Sequence, residues 1–255
     1  MRIALVGYGR MGRMVHQAAL LQHDEIVAII DPFAKDECVT SPVISEQALN
    51  SCDVAIEFSQ SQVAVPDMKQ YALWGVNAVM GTTGWYENLA EVKAFVQAGE
   101  AALIYSGNFS LGVAVFLEVV RRASALLSEI GGYDSAVFEL HHKGKADSPS
   151  GTALMLASSM LESQTNKKRI ECETLHRKRD EDEIQIASLR CGSFSGTHTV
   201  YFDSEVDTIE LTHRAKSREG FAYGAVKAAH WIANKDKGLY ALDDLMTDLL
   251  GQGEL

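Results

Sequence analysis

Positive charge is in short supply in this sequence: 23 lysines and arginines stand against 34 aspartates and glutamates in 255 residues, a formal net charge of −11. A surface of that sign has no general affinity for nucleic acid or for an anionic membrane. Cysteine is scarce as well. Cys38, Cys52, Cys172 and Cys191 show neither CxxC spacing nor the density of a disulfide scaffold, which predicts buried or idle thiols in a reducing compartment. No apolar run reaches the roughly 18 residues of a membrane span. Met1 opens directly onto the strand-like run RIALV, with no charged leader and apolar segment ahead of it. These absences lead us to expect a soluble, cytoplasmic protein with neither nucleic acid nor membrane as partner. Internal repeats and low-complexity segments are missing too.

What is present first is alternation. IALV (3–6), IVAII (26–30), DVAIEF (53–58), NAVM (77–80) and ALIYS (102–106) read as strands, with helical stretches at about 10–22, 61–74 and 86–99. Strands alternating with helices imply parallel strands joined by crossovers, hence a Rossmann-type, doubly wound α/β sheet covered on both faces. A helix follows over 111–128, where Val113, Phe116, Leu117, Val120 and Ala123 keep a helical period. Beyond it the pattern changes. SAVFELHH (135–142) reads as a strand and TALMLASSMLE (152–162) as a helix, and the charged run 167–183 as a solvated loop. EIQIASL (183–189), THTVYFD (197–203) and VDTIELTHR (206–214) then succeed one another without a long helix, which suggests a second, α+β unit on a mixed or antiparallel sheet. Helices at about 220–233 and 240–250 close the chain.

Residues 7–12 read GYGRMG, a GxGxxG between a strand and a helix. Gly7 suits the tight turn, Gly9 the close approach of a pyrophosphate and Gly12 helix-on-strand packing, while the helix start offers N–H groups to phosphate. Asp31 ends the second strand about 20 residues on, where an acid accepts hydrogen bonds from the adenosine ribose. A carboxylate there disfavours a 2′-phosphate, but Arg10, Arg13 and Lys35 stand close in sequence, so NADH and NADPH both remain open. GTTG (81–84) follows the NAVM strand and is either a ligand loop at a strand's carboxyl end or a plain turn.

The densest chemistry lies in ELHHKGKADSPSGTA (139–153). Ser148 is expected to cap a helix and Pro149 to occupy its first position. The amides of Ser150, Gly151 and Thr152 then belong to the first turn, beside two hydroxyls, and Lys145 and the histidines arrive from the preceding strand, so cation and donors can converge on a carboxylate. Blander readings stand beside this one. Neighbouring strand residues face opposite ways, so at most one of His141 and His142 faces a given ligand, and loop lysines are commonly just solvated. No third metal ligand stands nearby with convincing spacing, so no metal is expected. Ser150 lacks the GxSxG elbow of a hydrolase.

Glu139, His141, His142, Lys145, Asp147, Pro149, Ser150, Gly151, Thr152 and Ala153 match the pattern E-x-H-H-x-x-K-x-D-x-P-S-G-T-A. This stretch closely resembles the signature of the dihydrodipicolinate reductase family, which serves lysine and diaminopimelate biosynthesis. GYGRMG, GTTG, SGNFSLGV (106–113) and IELTHRAKSREGFAYGAVKAAHWI (209–232) resemble further family segments in order, so the likeness spans the chain. The sequence departs in its shorter first glycine loop and in Gly107, where the family often has proline.

The resemblance implies a dinucleotide-binding domain at about 1–110 plus 219–255, and a substrate-binding and oligomerisation domain over 111–218 whose sheet builds a homotetramer. It implies His141 as proton donor and Lys145 as a carboxylate ligand that also assists proton transfer, with His142, Ser150, Gly151 and Thr152 as substrate ligands. For NADH or NADPH it implies Gly7, Tyr8, Gly9, Arg10, Met11, Gly12, Asp31, Gly81, Thr82, Thr83, Ser106, Asn108 and Phe109. The implied reaction is reduction of a cyclic imine dicarboxylate to tetrahydrodipicolinate. An imidazole suits the proton delivery, with neighbouring lysines lowering its pKa and bound carboxylates raising it. The rival readings are another two-domain amino-acid dehydrogenase, such as aspartate or homoserine dehydrogenase, and a dinucleotide sensor without turnover. The HH-x-x-K…PSGT window argues against both.

Overall fold

The computed structural model describes residues 1–251, so the last four positions of the expected 219–255 segment lie outside the described residues. Two compact units are present, one formed by Met1–Leu111 together with the chain from Glu219 onward, the other by Gly112–Arg218.

In the first unit, short runs rich in Val, Ile, Leu and Ala form β1 (Arg2–Val6), β2 (Glu25–Ile30), β3 (Val54–Glu57), β4 (Ala78–Met80) and β5 (Ala102–Tyr105). They alternate with α1 (Arg10–Leu21), α2 (Glu46–Leu49), α3 (Ser61–Trp74) and α4 (Leu89–Ala98), the last preceded by a 3-10 turn at Tyr86–Asn88. These strands are nearly continuous apolar runs because helices cover both faces of a parallel sheet. The sheet is wholly parallel in the order β11-β5-β4-β3-β1-β2, with β11 at Gly238–Ala241. The chain order reverses at β1, whose neighbours are β2 and β3. A crevice for a ligand opens at the carboxyl ends of strands at such a point. Met68, Tyr71, Trp85, Val92 and Leu103 are among the buried side chains of a core on this sheet.

The second unit holds α5 (Leu111–Ile130), β6 (Asp134–His141), α6 (Gly151–Ser163), β7 (Arg169–Glu171), β8 (Glu183–Arg190), β9 (Thr197–Asp203) and β10 (Thr208–Arg214). Its sheet is mixed, in the order β10-β9-β6-β8-β7, with β6 antiparallel to β9 and parallel to β8. α7 (Glu219–Ile232) and α8 (Leu242–Leu250) return to the first unit.

Three local expectations change. The last helix does not begin at 240: residues 238–241 instead form β11, in parallel register with β5 (Leu239 opposite Leu103), because an open sheet edge recruits a segment too short to show a period. The charged run is not simply a solvated loop. It contains β7, buries Lys167 with its ammonium on Asp134 and on the carbonyls of Glu181 and Glu183, and ties Arg169 and Arg177 to the buried Glu183. The helix cap is Ser150, whose hydroxyl accepts the Ala153 N–H at 3.2 Å, and not Ser148; Pro149 precedes the cap. Both serines are acceptable caps, and β6's pairing decides which one meets the helix.

Candidate active site

In the first unit, the glycine loop leads from β1 to the amide end of α1. Gly7 has φ +88° and lies against the carbonyl of Phe58, so a side chain there would clash, whereas a Cβ on Gly9 would meet no atom within 4 Å. That open approach beside a helix N-terminus suits a phosphate. Arg10 is exposed, Met11 half-buried, and Gly12 and Tyr8 buried. Asp31 holds the loop from the end of β2. Its Oδ2 accepts the Tyr8 N–H at 2.6 Å and its Oδ1 accepts those of Phe33 and Ala34 at 2.7 and 2.8 Å. Burial alone would raise this carboxyl's pKa; the three amides, together with the charge of Arg13, hold it below the ordinary range. Arg13 itself is engaged by Asp36 through two bonds of 2.5 and 2.6 Å and lies over the Tyr8 ring.

The loops after β4 and β5 follow at the same sheet edge. Gly81 donates its N–H to the Glu57 carbonyl at 2.8 Å, Thr82 is buried, and Thr83 is exposed. Ser106 both donates to the Asn108 carbonyl and accepts the Asn108 N–H, each at 3.0 Å, which folds this turn on itself. Phe109 is in the core at 2% exposure. The side chains of Tyr8, Thr82 and Phe109 therefore shape the loops from within, while Gly9, Arg10, Thr83 and Asn108 stand nearer the surface.

The second unit gathers the charged stretch around one buried carboxylate. Glu139 and His141 lie two apart on β6 and so on one face. Register places Ser188 of β8 and His198 of β9 opposite Glu139, and Arg190 opposite His141. Glu139 Oε1 accepts the Ser188 hydroxyl at 2.7 Å, the Ser150 N–H at 2.9 Å and the Arg190 guanidinium at 2.9 Å. Its Oε2 stands 2.9 Å from His141 Nδ1, at an angle that leaves both atoms without a formed hydrogen bond. The contact is electrostatic. Burial would raise the Glu139 carboxyl, but hydrogen bonds from Ser150, Ser188 and Arg190 hold it at about 2. Glu139 is thus an anion with no exposed surface.

Burial pushes His141 below its ordinary pKa; Lys145 and Arg190 add to this and Glu139 opposes it. The expected lysine effect is present, but burial is the larger cause. His198 packs edge-on to His141 with ring centroids 5.1 Å apart, and burial, then the charge of His141, brings it to about 4. Gly196 packs close to the His141 ring, where a Cβ would stand 3.0 Å from Nε2.

Lys145 is near enough to influence both imidazoles, and its ammonium bridges both Asp147 oxygens at 2.7 and 2.9 Å. Asp147 thus serves Lys145, and its carbonyl accepts Arg190. His142 is half-buried just past the end of β6. Ser150 is committed within the protein: its N–H goes to Glu139, and its hydroxyl lies 3.1 Å from His198 Nε2. Gly151 is exposed beside open space, and Thr152 is half-buried at the same helix end.

Sequence reading left out the roles of Glu139, Ser188, Arg190 and His198. Arg190 and His198 are 51 and 59 residues from Glu139, and only β6 pairing with both β8 and β9 joins them. Their one local signal is a polar residue at an inward strand position. Potential ligand atoms of Glu139, His141 and His198 do lie within 4.8 Å of one another, so the fold supplies in His198 a third potential ligand that spacing could not show. The donor set fits a cation poorly, because Arg190 already neutralises this carboxylate and Lys145 stands close by. It fits a proton site.

Comparison with known proteins agrees over the whole length. Residues 1–109 match the model of the dihydrodipicolinate reductase N-terminus and residues 112–246 that of its C-terminus. A 4-hydroxy-tetrahydrodipicolinate reductase of Christiangramia forsetii is 37% identical over 98% of this chain and 99% of its own length. One from Archaeoglobus fulgidus is 38% identical over 96% and 100%. The fold is similar to that of a dipicolinate-bound dihydrodipicolinate reductase from Paenisporosarcina sp. TG-14, with TM-score 0.80 at 22% identity over 96% of this chain and 99% of that one. The parallel and mixed sheets, the cluster on Glu139 and these full-length matches lead to one assignment: the chain belongs to the dihydrodipicolinate reductase family.

Proposed function

We infer that the protein reduces 4-hydroxy-tetrahydrodipicolinate, a cyclic dicarboxylate, to tetrahydrodipicolinate with NADH or NADPH: the 4-hydroxyl leaves as water, and a hydride and one proton are added to the conjugated imine that this leaves. The observation that supports this most is His141, a buried imidazole held between an anionic Glu139 and Lys145 beside the amide end of α6. The first unit is assigned to the cofactor, through the loops 7–12, 81–83 and 106–109 and through Asp31. The second is assigned to substrate and assembly.

When bound, the cofactor supplies the hydride. The protein's own part is to orient a dianion and deliver one proton. Lys145 leaves Asp147 to meet a substrate carboxylate, an exchange of one carboxylate for another. Gly151 and Thr152 offer the helix end, which Ser150 holds in place, and His142 flanks it. The neutral His141 of the free protein gains proton affinity as two carboxylates bind nearby, and becomes an acid near working pH. Glu139 steadies the resulting imidazolium from the Nδ1 side, and Nε2 gives up the proton.

Homotetramer assembly is assigned to the mixed sheet, whose edge strand β10 has an open side and an exposed Ile209. The cytoplasm suits the free thiols, three of which (Cys38, Cys172 and Cys191) are exposed.

His141→Gln tests the reading. Its kcat for consumption of NADH with freshly made substrate should fall by about two orders of magnitude or more, with binding of a pyridine dicarboxylate retained. A kcat near wild type would remove His141 from the chemistry, and cofactor binding without any turnover in the native protein would favour a sensor.

A further inference from the structure

The loop after β4 rests on a buried carboxyl that the reaction above does not use. Glu57, the last residue of β3, stands in register between Val6 of β1 and Met80 of β4 and has no exposed surface. Its Oε1 accepts the Ser59 hydroxyl at 2.5 Å and its Oε2 accepts the Tyr71 hydroxyl at 2.7 Å. Ser59 in turn holds Thr82: its N–H donates to Thr82 Oγ1 at 2.8 Å, and its hydroxyl lies 3.3 Å from the same oxygen. The Thr82 carbonyl accepts the indole N–H of the buried Trp85 at 2.8 Å. One chain of hydrogen bonds therefore runs from the middle of the parallel sheet to the loop 81–84.

We propose that Glu57 is a positioning residue for cofactor binding, which acts through Ser59 and Thr82 to hold the 81–84 loop in its receiving conformation. The proposal rests on the assignment of that loop to NADH or NADPH. A buried polar network with its partners in place is rigid, and a loop already ordered loses less freedom when a ligand arrives.

The titratable groups facing Glu57 are Tyr71 and Asp67, both from α3. Its strand neighbours are apolar, and α7, which also packs on β3, buries Ala225, Val226 and Ala229 while Tyr223 and Lys227 are exposed. With no cation opposite it, burial and then the charge of Asp67 push Glu57 up to about 8, and burial brings Asp67 itself to about 6. Near neutral pH Glu57 is uncharged and can donate to Ser59, which frees the Ser59 hydroxyl to bond Thr82. Ionisation at higher pH draws that hydroxyl back to Glu57 and loosens the second tie.

The experiment is NADH titration alongside steady-state kinetics. Glu57→Ala should raise Kd and KM for NADH about tenfold, the scale of a lost buried hydrogen-bond partner, with kcat little changed. Glu57→Gln, which keeps the shape, should restore wild-type KM near neutral pH. Its KM should also stay flat above the Glu57 pKa of about 8, where that of the wild type climbs. Ser59→Ala cuts the chain elsewhere and should raise KM about threefold; if Glu57→Ala does not fold, this variant decides alone. Folded Glu57→Ala and Ser59→Ala proteins that bind NADH as the wild type does would overturn the proposal, as would a fall in kcat at constant KM. Thr83→Trp separates the two levels. If it leaves NADH binding unchanged, the loop assignment fails and the proposal with it; if it weakens binding while the other two variants do not, the positioning role alone is overturned.

Discussion

Glu57 in the parallel sheet and Glu139 in the mixed sheet are both strand residues with no exposed surface, yet near neutral pH one is uncharged and the other an anion. Glu57 meets two hydroxyls and a nearby acid, and burial raises it to about 8. Glu139 meets Arg190, an amide and a hydroxyl, and these hold it at about 2 despite burial. Desolvation acts on both alike; the partners decide which one ionises. The protein thus keeps a neutral carboxyl under its proposed cofactor loop, where it fastens hydroxyls. It keeps an anionic one behind its proposed proton donor, where a negative charge steadies an imidazolium.

One substitution made at both sites should split the pair most sharply. Glu139→Gln leaves Arg190 without its counter-ion in a largely buried place and should cost about 3 kcal/mol in denaturant unfolding. Glu57→Gln keeps the folded group neutral and removes the proton uptake that folding of the wild type requires near neutral pH, so it should leave stability unchanged or raised there. Equal losses would end the comparison.

The pH dependence of thermal unfolding sharpens it further. Glu139, depressed from 4.5 to about 2, contributes stability that is present above its unfolded pKa and lost as pH falls through this window. His198, depressed from 6.5 to about 4, must stay neutral when folded, so stability is also lost as pH falls across that range. Glu57 has the reverse sign. Raised from 4.5 to about 8, its burial favours the fold at low pH and that advantage is lost as pH rises through the interval. The wild-type Tm should therefore decline on both sides of a mildly acidic maximum, and Glu57→Gln should flatten only the alkaline side. An alkaline decline that survives this change would place its cause elsewhere.

The smallest effect concerns Lys145. On the proposed exchange of Asp147 for a ligand carboxylate, Lys145→Ala should weaken a pyridine dicarboxylate about tenfold in calorimetric titration and leave Tm nearly unchanged. Unchanged binding would contradict the clamp.

Much of this was legible in the chain. The apolar runs of the parallel strands and the period of α5 are local signals, and the structure has them within a few residues of the expected bounds. GYGRMG and the 139–153 window are local too, because a glycine loop and a helix start each need their residue types at adjacent positions. What failed was local choice among equals. Ser148 and Ser150 are both fit to cap a helix, and 238–241 has too few residues to announce a strand. Glu139 was visible as a match to a pattern and had no role, since nothing near it in sequence shows that Ser188, Arg190 and His198 arrive beside it.

Order along the chain, the two sheet types and the kinds of groups available for catalysis follow from periodicity and residue type, which act over a few positions and so can be read from sequence alone. Which carboxyl bears a charge, which imidazole loses its proton affinity and which serine caps the start of a helix were decided only by the folded protein. Those outcomes depend on distance to groups tens of residues away, and strand register sets that distance.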